Sequence, residues 1–326
     1  MKTKLLTLTL IASLGLVGCG SDDDDNNATL DIIETAQSDG RFETLVAAVT
    51  TADLVSTLQS EGPFTVFAPT DDAFTAYLTE NDVTANELLA SESLADILTY
   101  HVYTSQVLSS AAISVAQSND NQIEMVNGDN LALSLTGDDL YVNLSKVIVA
   151  DVTTSNGVIH AIDKVLTPPA ASALSDTDSN IAELVTTLAG ADSAEFTVLL
   201  EALVAADLAG ALAGDGPFTV FAPTDAAFVA LLEEQGLTKQ ALLASNDLSN
   251  ILLQHVISGV AIDSVAAFAA NGADVQTLNS AEEVTVEINE GALTIEGSTV
   301  VITDVQTSNG VIHVIDSVIF ETDTVQ

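Results

Sequence analysis

The chain has 326 residues and carries six Lys and Arg against 47 Asp and Glu, a formal net charge of −41. Six basic residues cannot displace the counterions of a nucleic acid, and the same field repels anionic headgroups, so no nucleic-acid partner is expected and no electrostatic docking of the folded part on a membrane. Hydrophobic residues still make up 48% of the chain, with 4% aromatics and no Trp, so length and composition predict about two globular domains with aliphatic cores and Phe as the large filler.

Residues 1–18 read as a secretory signal. Lys2 and Lys4 give a basic start, and the apolar run Leu5 to Val17 is too short to span a bilayer as a mature helix. The run ends in Leu16-Val17-Gly18-Cys19, which resembles the bacterial lipoprotein box. That resemblance implies cleavage before Cys19 and diacylation of its sulfur, which anchors a protein to a membrane without a spanning helix. Cys19 is the one cysteine, so neither an internal disulfide nor a cysteine metal cluster competes for it. In residues 19–28 the lipidated Cys is followed by Asp22 to Asp25, whose mutual repulsion predicts an extended tether of about 25 Å. Such a run lacks the rigid ligand geometry that calcium selectivity needs. Gly20 after the cysteine, by resemblance to lipoprotein sorting, favours the outer membrane, on its periplasmic face or at the cell surface.

The body is one unit written twice. Gly62-Pro63-Phe64-Thr65-Val66-Phe67-Ala68-Pro69-Thr70-Asp71 recurs unchanged as Gly216 to Asp225, and Thr154-Ser155-Asn156-Gly157-Val158-Ile159-His160 recurs as Thr307 to His313. A period of this length is domain-sized. The expected units are residues 29–167 and 180–322, with a linker at 168–179 opening on Pro168-Pro169. Within a unit, Phe42, Leu45, Val46 and Val49, then Leu88, Leu89, Leu94, Ile97 and Leu98, stand at helical spacing. Phe64 to Ala68 reads as a short strand apolar on both faces, with Thr70-Asp71 capping a helix behind it. Leu131 to Leu135, Leu140 to Leu144 and Val284 to Ile288 then alternate, punctuated by Asn127-Gly128, Gly137-Asp138 and Glu290-Gly291. Helices first and a strand meander later predict an α+β unit. Asp176-x-Asp178-x-Asn180 starts like a calcium loop but lacks its Gly and its bidentate Glu, so it reads as linker and N-cap for a helix from Ile181.

Phe64, Thr65, Phe67, Ala68, Pro69, Thr70 and Asp71, the Tyr100-His101 pair, and Asn156, Gly157, His160 and Asp163 together resemble the fasciclin domain. Phe218, Thr219, Phe221, Ala222, Pro223, Thr224 and Asp225, with His255, Asn309, Gly310, His313 and Asp316, repeat the pattern. Gln254 replaces the Tyr before the second central His. The resemblance implies two tandem domains, each a twisted β-wedge or sandwich with packed helices, and a module of extracellular or anchored proteins that contacts proteins or glycans in adhesion. The motif residues read as structural. Asn156-Gly157 and Asn309-Gly310 suit tight turns that feed core strands. His101 and His255 are expected to be satisfied by a carboxylate or a backbone group, with Asp71 and Asp225 the leading candidate partners, and His160 and His313 to pack and hydrogen-bond.

No Gly-x-Ser-x-Gly elbow, phosphate loop or His-x-x-x-His pair occurs, and all four histidines fall at repeated motif positions, so no enzyme, metal or cofactor is expected. The favoured function is a membrane-anchored adhesion module. Capture of a small apolar ligand in the cell envelope stands second, and envelope hydrolysis third.

Overall fold

A computed structural model describes residues 29–191 and 195–320. The leader, Cys19 and the acidic tether lie outside the described residues.

The first unit runs α1 (Ile32–Ser38), α2 (Glu43–Thr51), α3 (Val55–Leu58), β1 (Phe64–Pro69), α4 (Asp71–Glu80), α5 (Ala85–Leu89), α6 (Leu94–Thr99), β2 (Val102–Tyr103) and α7 (Ser109–Ala116), then the meander β3 (Gln122–Glu124), β4 (Asn130–Thr136), β5 (Asp139–Val142), β6 (Ser145–Thr153) and β7 (Gly157–Ile162). The second repeats it as α8 (Ile181–Ala189), α9 (Thr197–Ala205), α10 (Ala209–Leu212), β8 (Phe218–Pro223), α11 (Asp225–Gln235), α12 (Lys239–Leu243), α13 (Leu248–Gln254), β9 (Val256–Ser258), α14 (Ser264–Ala269), β10 (Ala273–Gln276), β11 (Glu283–Asn289), β12 (Ala292–Ile295), β13 (Ser298–Thr307) and β14 (Gly310–Ile315). Helix starts follow local chemistry. Asp31 with Glu34, Thr84 with Glu87 and Asn180 with Glu183 form capping boxes, each side chain satisfying a backbone N–H that the first turn leaves free.

Each unit is a seven-stranded sheet, ordered β2-β1-β7-β6-β5-β4-β3 in the first and β10-β11-β12-β13-β14-β8-β9 in the second. The two motif strands are neighbours: β1 pairs parallel with β7, Phe64 opposite Gly157 through Pro69 opposite Ile162, and β8 pairs likewise with β14. Parallel neighbours are usually covered on both faces. Val66, Ala68 and Ile159 accordingly pack under α1, α2 and α6, while Phe67 and Ile162 pack on the other face with Tyr100, Leu131 and Leu133.

The units are joined by more than the linker. α14 lies on β4, and Ala132 and Tyr141 belong to the same apolar cluster as Phe268, Ile288 and Leu293. The Asn271 amide donates to Leu135 O and to Thr136 Oγ1, both at 3.0 Å, and accepts from Ile288 N at 2.7 Å. Lys164 Nζ donates to Gly291 O at 2.7 Å. The segment 168–179 also lies along β13, where Ser172 N and Asp176 N donate to Asp304 O and Gln306 O at 3.0 Å.

Candidate functional site

The repeated motif residues converge where β1 and β7 meet the helices, and nearly all of them are spent holding the fold. Asn156 is buried beside the end of β1. Its Oδ1 accepts from Ile32 N at 3.0 Å, and its Nδ2 donates to Leu58 O at 2.7 Å and Ser60 O at 2.9 Å, so one amide pins the start of α1 and the end of α3. Asn309 does the same for Ile181 N, Leu212 O and Gly214 O. Gly157 follows because a Cβ there would lie 2.2 Å from Phe64 O, and Gly310 meets the same limit at Phe218 O. Thr65 Oγ1 donates to Ser105 O at 2.6 Å and accepts from Val107 N at 2.8 Å, with Thr219 doing likewise for Val260 O and Ile262 N. Thr70 and Thr224 cap α4 and α11. Ala68, Pro69, Ala222 and Pro223 are buried in the parallel pair. Asp163 accepts from Lys146 N at 2.7 Å, and Asp316 from Thr299 N at 2.8 Å, closing the meander onto its last strand.

The structure corrects the pairing of the central histidines with Asp71 and Asp225. Asp71 caps α2 instead, accepting from Thr44 N at 2.7 Å and Glu43 N at 3.2 Å, and Asp225 caps α9 through Thr197 and Val198. His101 Nδ1 meets Ile97 O at 2.8 Å, and its Nε2 accepts from Leu166 N at 2.9 Å. His255 repeats this with Ile251 O and Ile319 N. The physical reason is depth: both rings are fully buried, beyond reach of a solvated carboxylate, and backbone groups satisfy them. Burial pushes both down to about 4, so they are neutral near pH 7. His160 and His313 stack on Phe67 and Phe221 with ring centroids 5.7 and 6.0 Å apart. His160 Nδ1 accepts from Asp151 N and its Nε2 donates to Val107 O, and His313 uses Asp304 N and Ile262 O in the same way. Burial holds these two below the usual imidazole range as well.

Tyr100 donates to Asn130 O at 2.7 Å and accepts from Asn143 Nδ2 at 2.8 Å, and burial raises its hydroxyl well above the usual phenol range. At the matching place Gln254 is buried with its amide nitrogen unpartnered. Among the described residues no group of three His, Cys, Asp or Glu is placed to hold a metal. Sequence reasoning missed Asn143, Asn271 and Lys164. Lys164 carried a signal, being one of only four Lys and Arg after residue 18, whereas the two asparagines carried none above ordinary turn residues.

The fasciclin-domain family profile matches residues 40–168 and again 194–321. The chain is a tandem fasciclin-domain protein. Protein sll1483 of Synechocystis sp. is 43% identical over 126 residues, 38% of this chain and 66% of that protein. The transforming growth factor-beta-induced protein ig-h3 of Sus scrofa is 40% identical over 140 residues, 43% of this chain and 19% of that protein. Among solved structures, a FAS1 domain pair from the insect cell adhesion molecule fasciclin I aligns over 87% of this chain and 98% of that one, at 20% identity and a TM-score of 0.38. The chain thus spans just under two thirds of sll1483 and a fifth of ig-h3. Both of its fasciclin domains contain the full pair of motif strands.

Proposed function

We propose that this fasciclin-domain protein is a membrane-anchored, extracytoplasmic adhesion module, held by lipid on Cys19 and contacting a protein or glycan through both domains. The observation that carries the reading is a surface feature presented twice. In β6 and in β13 the ladder to the last strand shifts register, and an aliphatic residue stands out at the same place in each domain, Ile148 at 46% exposure and Val301 at 53%. Bulges re-aim side chains at sheet surfaces, and two equivalent weak contacts on one body gain by avidity. The acidic surface favours a partner that is cationic, neutral or bridged by divalent ions. All eight ring nitrogens of the four histidines are engaged within the fold, which supports a binding role over general-base catalysis.

The test is a solid-phase assay of the soluble fragment Gly20 to Gln326 on cells, matrix proteins and glycans, beside the I148D/V301D variant. Binding by the parent that the double substitution abolishes, at unchanged melting temperature, is the expected result. A parent that binds nothing, or a variant that binds equally, removes the reading. Anchoring is read separately: Cys19→Ser should move the protein from the membrane to the soluble fraction.

A further inference from the structure

We infer that the first domain contains a binding site for one small uncharged apolar molecule of about the size of benzene, in a cavity that the second domain has filled with its own side chains. Between α1, α2 and the β1–β7 pair lies a space of about 170 Å³. Its floor and walls are buried aliphatic groups, among them Ile32, Ala36, Val49, Val66 and Ile159. The space reaches solvent at a mouth where the lining residues Thr57, Thr104 and Val126 are exposed, Val126 at 39%, with Thr99 half-buried beside them. An apolar cavity of about 150 Å³ stays dry and admits benzene or xenon, so this space takes a single ring or a short alkyl chain.

The chemistry of the lining sets the class of occupant. In a chain with 47 acids, no charged side chain faces this space. His101 lines it too, but both of its ring nitrogens are taken by Ile97 O and Leu166 N. Thr99 turns its hydroxyl back to Ala95 O at 2.7 Å. A charged or strongly polar ligand would lose its hydration with nothing to replace it, whereas an apolar one loses nothing.

The second domain shows that the fold does not require the space. There the matching cavity is about 10 Å³, and its walls include Val185 and Leu203. Val185 lies four residues beyond Ile181 as Ala36 lies four beyond Ile32, and the two isoleucine N–H groups share the same asparagine contact. Leu203 O accepts from Leu208 N as Val49 O accepts from Leu54 N, which makes those two equivalent. At the mouth, Leu278 N donates to Val256 O as Val126 N donates to Val102 O, and Leu253 precedes His255 as Thr99 precedes His101. With Val46 matched by Leu200, five lining positions are therefore larger in the second domain, and two of the larger residues, Val185 and Leu203, stand in the wall of its small cavity. Three lining positions change the other way, Ile33 to Ala182, Thr57 to Ala211 and Thr104 to Ser258, and the net outcome is still the smaller space. The site belongs to the first domain alone and is independent of the adhesive surface.

Benzene titrated into the tandem protein tests the inference, followed by methyl NMR and by the melting temperature, with benzoate as the charged control. The expected result is saturable binding of one benzene, shifts confined to methyls such as those of Val66 and Ile159, and no response to benzoate. Ala36→Val and Val49→Leu, which copy the second domain, should weaken binding at least about tenfold by filling the space. Thr99→Leu, at the half-exposed mouth, supplies a variant whose folding is not in question and should also weaken it. No saturable shift up to the solubility of benzene overturns the inference. So does undiminished binding in the folded filled variants.

Discussion

Gln254 and Tyr100 occupy the same place in the two domains with opposite outcomes. The Tyr100 hydroxyl sits between Asn130 O and Asn143 Nδ2, and Asn143 in turn accepts from Ala132 N. In the second domain the residue at the Asn143 position is Glu296, whose carboxylate accepts from Thr285 N, and the Gln254 amide nitrogen is left without a partner. A buried unpaired donor costs about 1–3 kcal/mol, so Gln254→Leu should stabilise the second domain by about 1 kcal/mol in a denaturant titration, whereas Tyr100→Phe should destabilise the first. A destabilised Gln254→Leu would mean that the amide finds a partner in solution. The histidines give a second prediction at this scale. A folded value of about 4 against an unfolded value near 6.5 means that the unfolded chain binds protons which the folded one refuses. Stability from His101 and His255 is therefore full above about pH 6.5 and is lost as the pH falls toward 4, up to about 3 kcal/mol for each ring. Calorimetric unfolding at pH 5.5 in buffers of different ionisation enthalpy should show uptake of about two protons from these rings and more from His160 and His313; no uptake would refute their burial as neutral groups. The motif was readable because identical residues recur in identical order. The contacts of Asp71 were not, since a carboxylate at the head of α4 serves equally well, on paper, as partner to a histidine or as cap to another helix. Only the packing of α2 against α4 decides between them.

At the scale of elements, the parallel pairing of β1 with β7 organises each domain, and it depends on two adjacent residues. Asn156 ties α1 and α3 to the end of that pair, and Gly157 lets the two strands approach at Phe64. Gly157→Ala would set a methyl 2.2 Å from Phe64 O, a backbone atom that cannot swing aside, so the strands must part. A loss of at least about 2 kcal/mol is expected for the first domain, with the second untouched, readable as one of two unfolding transitions moving alone. A shift of both transitions together would show that the domains unfold as one unit. The helices were legible from apolar spacing and caps, and the hairpins from alternation with Asn-Gly and Glu-Gly turns. The β1–β7 pairing was not legible, because the two strands are separated by four helices and most of the meander. Neither of them records its neighbour in its own pattern. The apolar cavity was hidden for a related reason: Ala36 and Val49 look like ordinary core residues until the volume left between them is measured.

The whole molecule sets an extreme charge against an apolar contact and a few hydrogen bonds between its domains. Among the described residues every cation is engaged: Arg41 with Asp39 at 2.5 Å, Lys146 with Asp139 at 2.5 Å, Lys239 with Glu201 at 2.7 Å, and Lys164 with Gly291 O across the interface. The three ion pairs lie at the surface, the Arg41–Asp39 pair part-buried, where such pairs contribute about 0–1 kcal/mol each, so they leave the bulk of the 47 acids uncompensated. The apolar contact of Ala132 and Tyr141 with Phe268, together with the Asn271 bonds, must therefore hold two like-charged bodies together. Repulsion between exposed charges weakens as the screening length falls from about 10 Å at 0.1 M to about 3 Å at 1 M salt, whereas buried contacts are little affected. Added NaCl should accordingly raise the melting temperature, by roughly 2–4 °C for each kcal/mol of repulsion removed. The gain should be concentrated below about 0.5 M, where the screening length changes fastest. Comparing NaCl with sodium sulfate at matched ionic strength separates this screening effect from the strengthening of apolar burial that sulfate adds. A melting temperature that is flat or falls with NaCl would mean that the acids are spaced widely enough to ignore one another. The high charge would then bear on solubility and choice of partner, and the strain of bringing two acidic domains into contact would be absent.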